Sequence, residues 1–212
     1  MDKFERSQAA RNNNAFFARA VQQLHVTAPG PTLLSLCTNI THLALLPGHR
    51  WTDIPLHPMR HLQNLKYIAL HTYNPVVLDC LPPSITHLQI RHCADPPSKV
   101  IVRQVLEACP VLSHLMVDAN AREFADNMRY ILGILPSQCR SVVFALPRTT
   151  WLGVDALSAI RDMQEQFPQL LLVDTGGHDS GALENIMKCK QSSILRFEFW
   201  DAVDEFLGRR AA

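Results

Sequence analysis

The sequence has 212 residues, 47% hydrophobic and 18% charged, which is long enough to bury a continuous core. Its 20 basic residues nearly balance its 19 acidic residues, so no field of one sign is available to hold a nucleic-acid backbone or an anionic membrane. The longest aliphatic runs are short and residues 1–20 are polar. We therefore expect neither a secretory signal nor a membrane span.

The cysteines lack the spacing of a metal site or a disulfide framework. No CxxC pair occurs, and the thiols are scattered along the chain. Such cysteines are expected to be separate reduced thiols that behave as small buried hydrophobes. This predicts a cytoplasmic or nuclear protein without a metal or cofactor. The six positions are Cys37, Cys80, Cys93, Cys109, Cys139 and Cys189.

One pattern recurs along the chain: an apolar residue followed by others three and five positions later. Successive copies start 19 to 31 residues apart, close to the leucine-rich-repeat period of about 20 to 29 residues. Within each copy, the second and third apolar positions alternate with their neighbours, as on one face of a short strand. The eight triplets are Val21/Leu24/Val26, Ile40/Leu43/Leu45, Leu65/Ile68/Leu70, Ile85/Leu88/Ile90, Leu112/Leu115/Val117, Cys139/Val142/Phe144, Leu170/Val173/Thr175 and Ile194/Phe197/Phe199.

The segments between the strands differ in the two halves of the chain. The N-terminal segments are short and interrupted by proline, so they are not expected to form long helices. In the C-terminal half, apolar residues at helical spacing predict helices over 99–108, 124–135, 154–167 and 181–189. A short helix at 13–20 and a helix carrying Trp200, Val203, Phe206 and Leu207 are expected to cap the two ends, the second by covering the last strand.

These elements predict an α/β fold of one architecture. We expect an irregular leucine-rich-repeat-like solenoid, with a parallel sheet on its concave face and helices or loops on its convex face. Residues 1–15 are expected to form a flexible tail, residues 16–207 a single domain, and residues 208–212 a second tail.

Four stretches resemble the repeat region of fungal F-box proteins: FFARAVQQLHV at 16–26, HLQNLKYIAL at 61–70, LPPSITHLQI at 81–90 and CPVLSHLMV at 109–117. The resemblance covers roughly residues 14–200. It implies a surface that captures substrates for a cullin-based ubiquitin ligase. Residues 1–20 lack the Leu-Pro-rich helical pattern of an F-box. The chain is therefore expected to be a truncated relative, a gene fragment or a stand-alone binding module.

The predicted register places a row of rings on the sheet face turned away from the triplets. This ring row consists of His42, Tyr67, His87 and His114, each directly before the second apolar residue of its triplet. Strands lie about 4.8 Å apart, so rings on adjacent strands are expected to stack. We expect a solvent-facing contact surface for an unidentified protein partner, with no nucleic-acid or membrane partner and a monomeric chain. It comprises His42, Tyr67, His71, His87, Gln89, Arg91, His114, Met116 and Asp118.

Two other interpretations of the ring row stay open. The histidines can be tolerated repeat consensus in solvent, in a remnant without activity, or they can serve a metal-dependent or hydrolytic enzyme. No catalytic residue is assigned. The segment HPMRH at 57–61 has Pro58 where HExxH requires its glutamate. The segment GGHDSG at 176–181 matches neither GxSxG nor a phosphate-binding loop, and it is expected to be a strand-to-helix turn.

Overall fold

The computed structural model describes residues 20–26, 31–45, 57–70, 80–90, 99–118, 124–146, 154–174, 186–188 and 198–211. These ranges contain eight strands, five α-helices and one 3-10 helix. In chain order they are β1 (Gln23–Val26), α1 (Pro31–Leu36), β2 (His42–Leu45), the 3-10 helix (His57–His61), β3 (Tyr67–Leu70), β4 (His87–Ile90), α2 (Lys99–Ala108), β5 (His114–Asp118), α3 (Phe124–Ile134), β6 (Ser141–Leu146), α4 (Val154–Gln166), β7 (Leu170–Asp174), β8 (Ile186–Lys188) and α5 (Phe199–Ala211).

All eight strands belong to one sheet whose spatial order is the order of the chain, from β1 to β8. Every neighbouring pair is parallel. Each strand therefore lies between its predecessor and its successor, and each connection returns the chain to the same end of the sheet. The prediction of an α/β chain with a parallel sheet is confirmed.

The register of the first six triplets is also confirmed. The second triplet residues pair in an unbroken line, Leu24, Leu43, Ile68, Leu88, Leu115 and Val142. From β2 to β6, these residues and the third members of the triplets are buried. Because side chains alternate along a strand, the residues between them lie on the other face of the sheet.

The last two triplets were predicted wrongly. In β7, Leu170 and Leu172 pair with Val142 and Phe144, so the observed triplet is Phe167/Leu170/Leu172 rather than Leu170/Val173/Thr175. The run LLLV is apolar at every position, and alternation therefore could not fix its register. The eighth strand is Ile186–Lys188, where a helix over 181–189 was expected. Of the eighth predicted triplet, Phe199 lies in α5, whereas Ile194 and Phe197 are outside the described residues.

The main core lies between the sheet and the returning segments. Helices α2, α3 and α4 turn Val102, Met128 and Ile160 toward the triplet residues of the strands. These helices match the predicted segments 99–108, 124–135 and 154–167 to within one residue at each end. In the N-terminal half, α1 and the 3-10 helix are short, as the proline-interrupted sequence predicted. They add Leu34 and Met59 to the same core.

Helix α5 runs to Ala211 and thus includes residues 208–211, which were expected to form part of a C-terminal tail. The predicted tail at 1–15 lies outside the described residues. Among the described helices, none combines the length and apolar character that a membrane crossing requires.

Candidate interaction face

The ring row forms a continuous stack on the sheet face opposite the main core. His42 and Tyr67, Tyr67 and His87, and His87 and His114 each have ring centroids 4.0 Å apart, with interplanar angles of 12°, 21° and 9°. The strands supply this arrangement directly, because the four residues are register partners in β2 to β5. The predicted stacking of His87 on His114 is confirmed and extends to four rings.

Each histidine of the row is held by the hydroxyl of the residue before it. The Nδ1 atom lies 2.7 to 2.8 Å from the hydroxyl oxygen in all three cases. The local sequences THL and SHL therefore supply both the histidine ring and the hydroxyl that holds it. The three pairs are Thr41–His42, Thr86–His87 and Ser113–His114.

These hydroxyls also connect neighbouring strands. Thr86 Oγ1 donates to the carbonyl oxygen of Lys66 at 3.2 Å, and Thr41 and Ser113 make the same bond to the segment before them. The hydroxyl thus bridges the imidazole nitrogen of its own strand and a carbonyl oxygen of the preceding segment, which fixes the orientation of the His42 and His87 rings.

Helix α5 lies on the same face, which corrects the prediction that the contact surface faces solvent. Gln89, His114 and Met116 were expected to be exposed but retain only 4%, 3% and 0% of their accessible surface. His42, Tyr67 and His87 are half-buried. The predicted side of the sheet was right, and the prediction of exposure was wrong for these three residues.

The contact between α5 and the ring row combines an aromatic ring with a carboxylate. Trp200 meets His87 and His114 edge-on, with ring centroids 5.4 Å away in both cases. One turn later, Asp204 Oδ1 lies 2.9 Å from His114 Nε2. Both nitrogens of His114 thus face oxygen atoms, since Ser113 Oγ lies at Nδ1.

Beyond the ring row, α5 covers an apolar patch of the sheet. Its residues Phe199, Trp200 and Val203 are buried against strands β5, β6 and β7. These strands are apolar on both faces, which is typical of a sheet covered on both sides. The resulting second cluster is separate from the main core. Its sheet residues are Met116, Val143, Ala145, Leu171 and Val173.

Two polar atoms on this face lack a hydrogen bond within the described part of the chain. They are Gln89 Oε1 and Ser141 Oγ, both buried. Gln89 is the register partner of Met116, and Ser141 that of His114. A buried polar atom without a partner costs about 1–3 kcal/mol. The packing of α5 against the sheet therefore leaves Gln89 Oε1 and Ser141 Oγ without a hydrogen bond within the described residues.

Burial dominates the electrostatics of the ring row. Desolvation, followed by the positive charge that His114 and His42 can carry, lowers the pKa of His87 to about 3. Desolvation also lowers the pKa of His42, although the carboxylates of Asp201 and Glu198 act in the opposite direction. Burial and the carboxylates of Asp201 and Asp204 raise the pKa of Tyr67. His87 is therefore neutral at physiological pH.

Three other predicted contact residues lie at or beyond the strand ends. Asp118 is the last residue of β5 and is half-buried, whereas it was expected just beyond the strand. His71 and Arg91 lie outside the described residues. The sequence also predicted a helix carrying Trp200 but placed it over the last strand. The packing position of this helix could have been predicted from the apolar residues on the second face of β5 to β7, because such residues must be buried by another element.

One hydroxyl, one imidazole and one carboxylate of this face are joined by hydrogen bonds. Ser113, His114 and Asp204 form a hydrogen-bonded chain, but the Ser113 hydroxyl donates to a backbone carbonyl. The Thr–His pairs repeat the same local geometry at two other strands, which indicates a structural support. Within the described ranges, no group of three or more His, Cys, Asp or Glu residues is placed to hold a metal ion. The segment GGHDSG lies outside these ranges.

The fold and this face define an α/β protein with a sequentially ordered parallel sheet, of which strands β5 to β7 are covered on both sides. Comparison with known proteins adds no family: no family model matches the chain, and neither does any curated protein or solved structure.

Proposed function

We propose that this chain is a leucine-rich-repeat-like solenoid that serves as a non-enzymatic protein-recognition module. The resemblance to the repeat region of fungal F-box proteins suggests substrate capture for a ubiquitin ligase, in the cytoplasm or nucleus. The observation that carries the proposal is the ring row, a stack of four rings whose histidines are held by repeated hydroxyl bonds. Such a preorganised row loses little conformational entropy when a partner binds.

The half-buried part of the ring row is the accessible part of the proposed contact surface. His42, Tyr67 and His87 are half-buried and lie side by side on three adjacent strands. Tyrosine is enriched at interfaces because it combines a large apolar surface with a polar end. These three residues are therefore expected to contribute more to partner binding than the charged residues on the helices across the sheet.

Affinity capture from the native host under proteasome inhibition tests this function. The double variant His42→Ala, Tyr67→Ala is expected to lose at least one partner that the wild-type chain retains. The matched control, Arg103→Ala with Arg129→Ala, changes exposed residues of α2 and α3 and is expected to retain that partner. Loss of the same proteins from both variants, or from neither, contradicts a contact surface at the ring row.

A further inference from the structure

We propose that α5 occupies, within its own chain, the binding site for an amphipathic acidic helix of a partner protein, and that such a partner displaces α5. The inference rests on the proposed function, and it adds the chemistry of the partner and the means by which the site is masked.

The contacts of α5 have the composition of a recognition interface. A buried tryptophan meets two imidazole rings, and a carboxylate one turn later lies 2.9 Å from His114 Nε2. Hot spots of protein interfaces are built in this way, from an aromatic anchor in a desolvated seat beside a defined polar contact. Helices that bind in grooves place their contact residues at spacings of i, i+3, i+4 and i+7, and Trp200 and Asp204 have the i, i+4 spacing.

The site of α5 is separate from the main core. The second cluster lies on one face of the sheet, and the main core with α2, α3 and α4 lies on the other. The sheet stands between the two clusters, so α5 can leave without opening the packing of the triplet residues. A helix that completed the main core could not be displaced without unfolding the chain.

This face of the sheet also carries two polar atoms to which α5 makes no hydrogen bond. Gln89 Oε1 and Ser141 Oγ are buried there without a hydrogen bond within the described residues. A partner helix that repeats the Trp200 and Asp204 contacts and adds a donor at Gln89 would bind better than α5 does. The partner class that fits is therefore a helix with an aromatic residue, a carboxylate four residues later and a hydrogen-bond donor facing β4.

Attachment to the same chain explains how α5 holds the site. A segment tethered to its own binding site has an effective concentration on the order of millimolar. A free helix of equal affinity competes poorly at micromolar concentration, so the wild-type chain is expected to be masked. Substitutions that weaken α5 should open the site to a helix supplied from outside.

The experiment supplies α5 as a separate ligand to the full-length chain. The probe is a fluorescently labelled peptide with the sequence of residues 198–211, and the receptor is the full-length double variant Trp200→Ala, Asp204→Asn. Fluorescence anisotropy is expected to show at least about tenfold tighter binding to the variant than to the wild type, because the variant's own helix competes less. The control peptide carries the same two substitutions and is expected not to bind.

Two results would overturn the inference. One is a folded double variant, judged by its circular dichroism and cooperative unfolding, that does not bind the peptide. The other concerns a double variant that does not fold. In that case hydrogen exchange is measured on the single variant Asp204→Asn, and the inference fails if α5 and the sheet open together. The inference requires faster exchange in α5 alone. Failure of the proposed function is read separately, from partner capture that is unaffected by the ring-row substitutions.

Discussion

At the scale of single residues, the ring row shows how a repeated dipeptide orients a side chain whose protonation is set by burial. The Thr86 hydroxyl forms a hydrogen bond with Nδ1 of His87 and so orients the ring, and burial keeps the ring neutral. A histidine that is neutral when folded becomes charged when the chain unfolds at mildly acidic pH. The ring row therefore links the stability of the sheet to pH.

The first prediction concerns this link. The pKa of His87 is about 3 in the folded chain, against 6.5 for a histidine in an unfolded chain. Between these values, the unfolded chain binds a proton that the folded chain does not, so stability falls as the pH is lowered from 6.5 toward 3. One such site contributes at most about 1.4 kcal/mol per pH unit. The variant His87→Tyr keeps a ring in the stack and is expected to show a shallower decline.

Urea unfolding at several pH values between about 7 and 4 measures this slope. The control is His61→Tyr, which changes an exposed histidine of the 3-10 helix and is expected to unfold with the wild-type slope. An unchanged slope in His87→Tyr would show that His87 is not responsible.

The second prediction concerns the thiols. Burial raises the pKa of Cys109 to about 12 and that of Cys139 to about 11, and it also raises the pKa of Cys37. The thiolate is the reactive form, so these buried thiols should be inert. In a Cys93→Ser, Cys189→Ser background, the four remaining cysteines are expected to react with a thiol reagent at about pH 8 only after urea is added. Rapid reaction without urea contradicts their placement in the core.

The sequence predicted the ring row at the residue level because strand register depends on local alternation. The three-then-two spacing fixed which side chains share a face. It could not predict that His114 is buried, because its partner Asp204 is 90 residues away in the sequence. Contacts of that range depend on the whole fold, and alternation within one strand carries no information about them.

At the scale of elements, α5 differs from the returning helices in what it packs against. Helices α2, α3 and α4 contact the main core, whereas α5 contacts the second cluster. Long apolar periodicity made all four helices predictable from the sequence. The strand β8 was missed because its three residues are too few to show alternation.

The third prediction compares the effects of a glycine-to-alanine substitution in one returning helix, α3, and in α5. Gly133 in α3 and Gly208 in α5 are exposed, and a Cβ atom at either would meet no atom within 4 Å. Replacement of a helical glycine by alanine stabilises a helix by up to about 1 kcal/mol. We expect Gly133→Ala to raise the free energy of unfolding of the whole domain. Gly208→Ala should mainly slow the hydrogen exchange of α5.

Equilibrium unfolding and hydrogen exchange of both variants provide the measurements. A uniform slowing of exchange throughout the chain in Gly208→Ala would indicate that α5 and the sheet form one cooperative unit.

At the scale of the whole molecule, one sheet separates two apolar clusters of unequal size. Adjacent residues of β5 illustrate the division, since Leu115 belongs to the main core and Met116 to the second cluster. Both are buried. Their substitutions should nevertheless have different consequences, because one supports the stacked strands and the other supports the seat of α5.

The fourth prediction compares these two neighbours. Leu115→Ala removes a buried leucine from the main core and is expected to lower the free energy of unfolding by about 2–5 kcal/mol. Met116→Ala is expected to have a smaller effect on global unfolding and to accelerate the exchange of α5 amides. Urea unfolding with parallel hydrogen exchange measures both effects. Equal losses of global stability with no local effect on α5 would contradict the division into two clusters.

The order of the strands has a consequence for synthesis of the chain. Each strand pairs with the one made just before it, so the sheet can grow as the polypeptide leaves the ribosome, N-terminal part first. Helix α5 is made after all eight strands. Until it folds onto the sheet, Met116, Val143 and Leu171 lack the helix residues that pack against them, so a partly synthesised chain exposes apolar surface there. Exposed apolar surface of this kind makes an incomplete chain prone to aggregation.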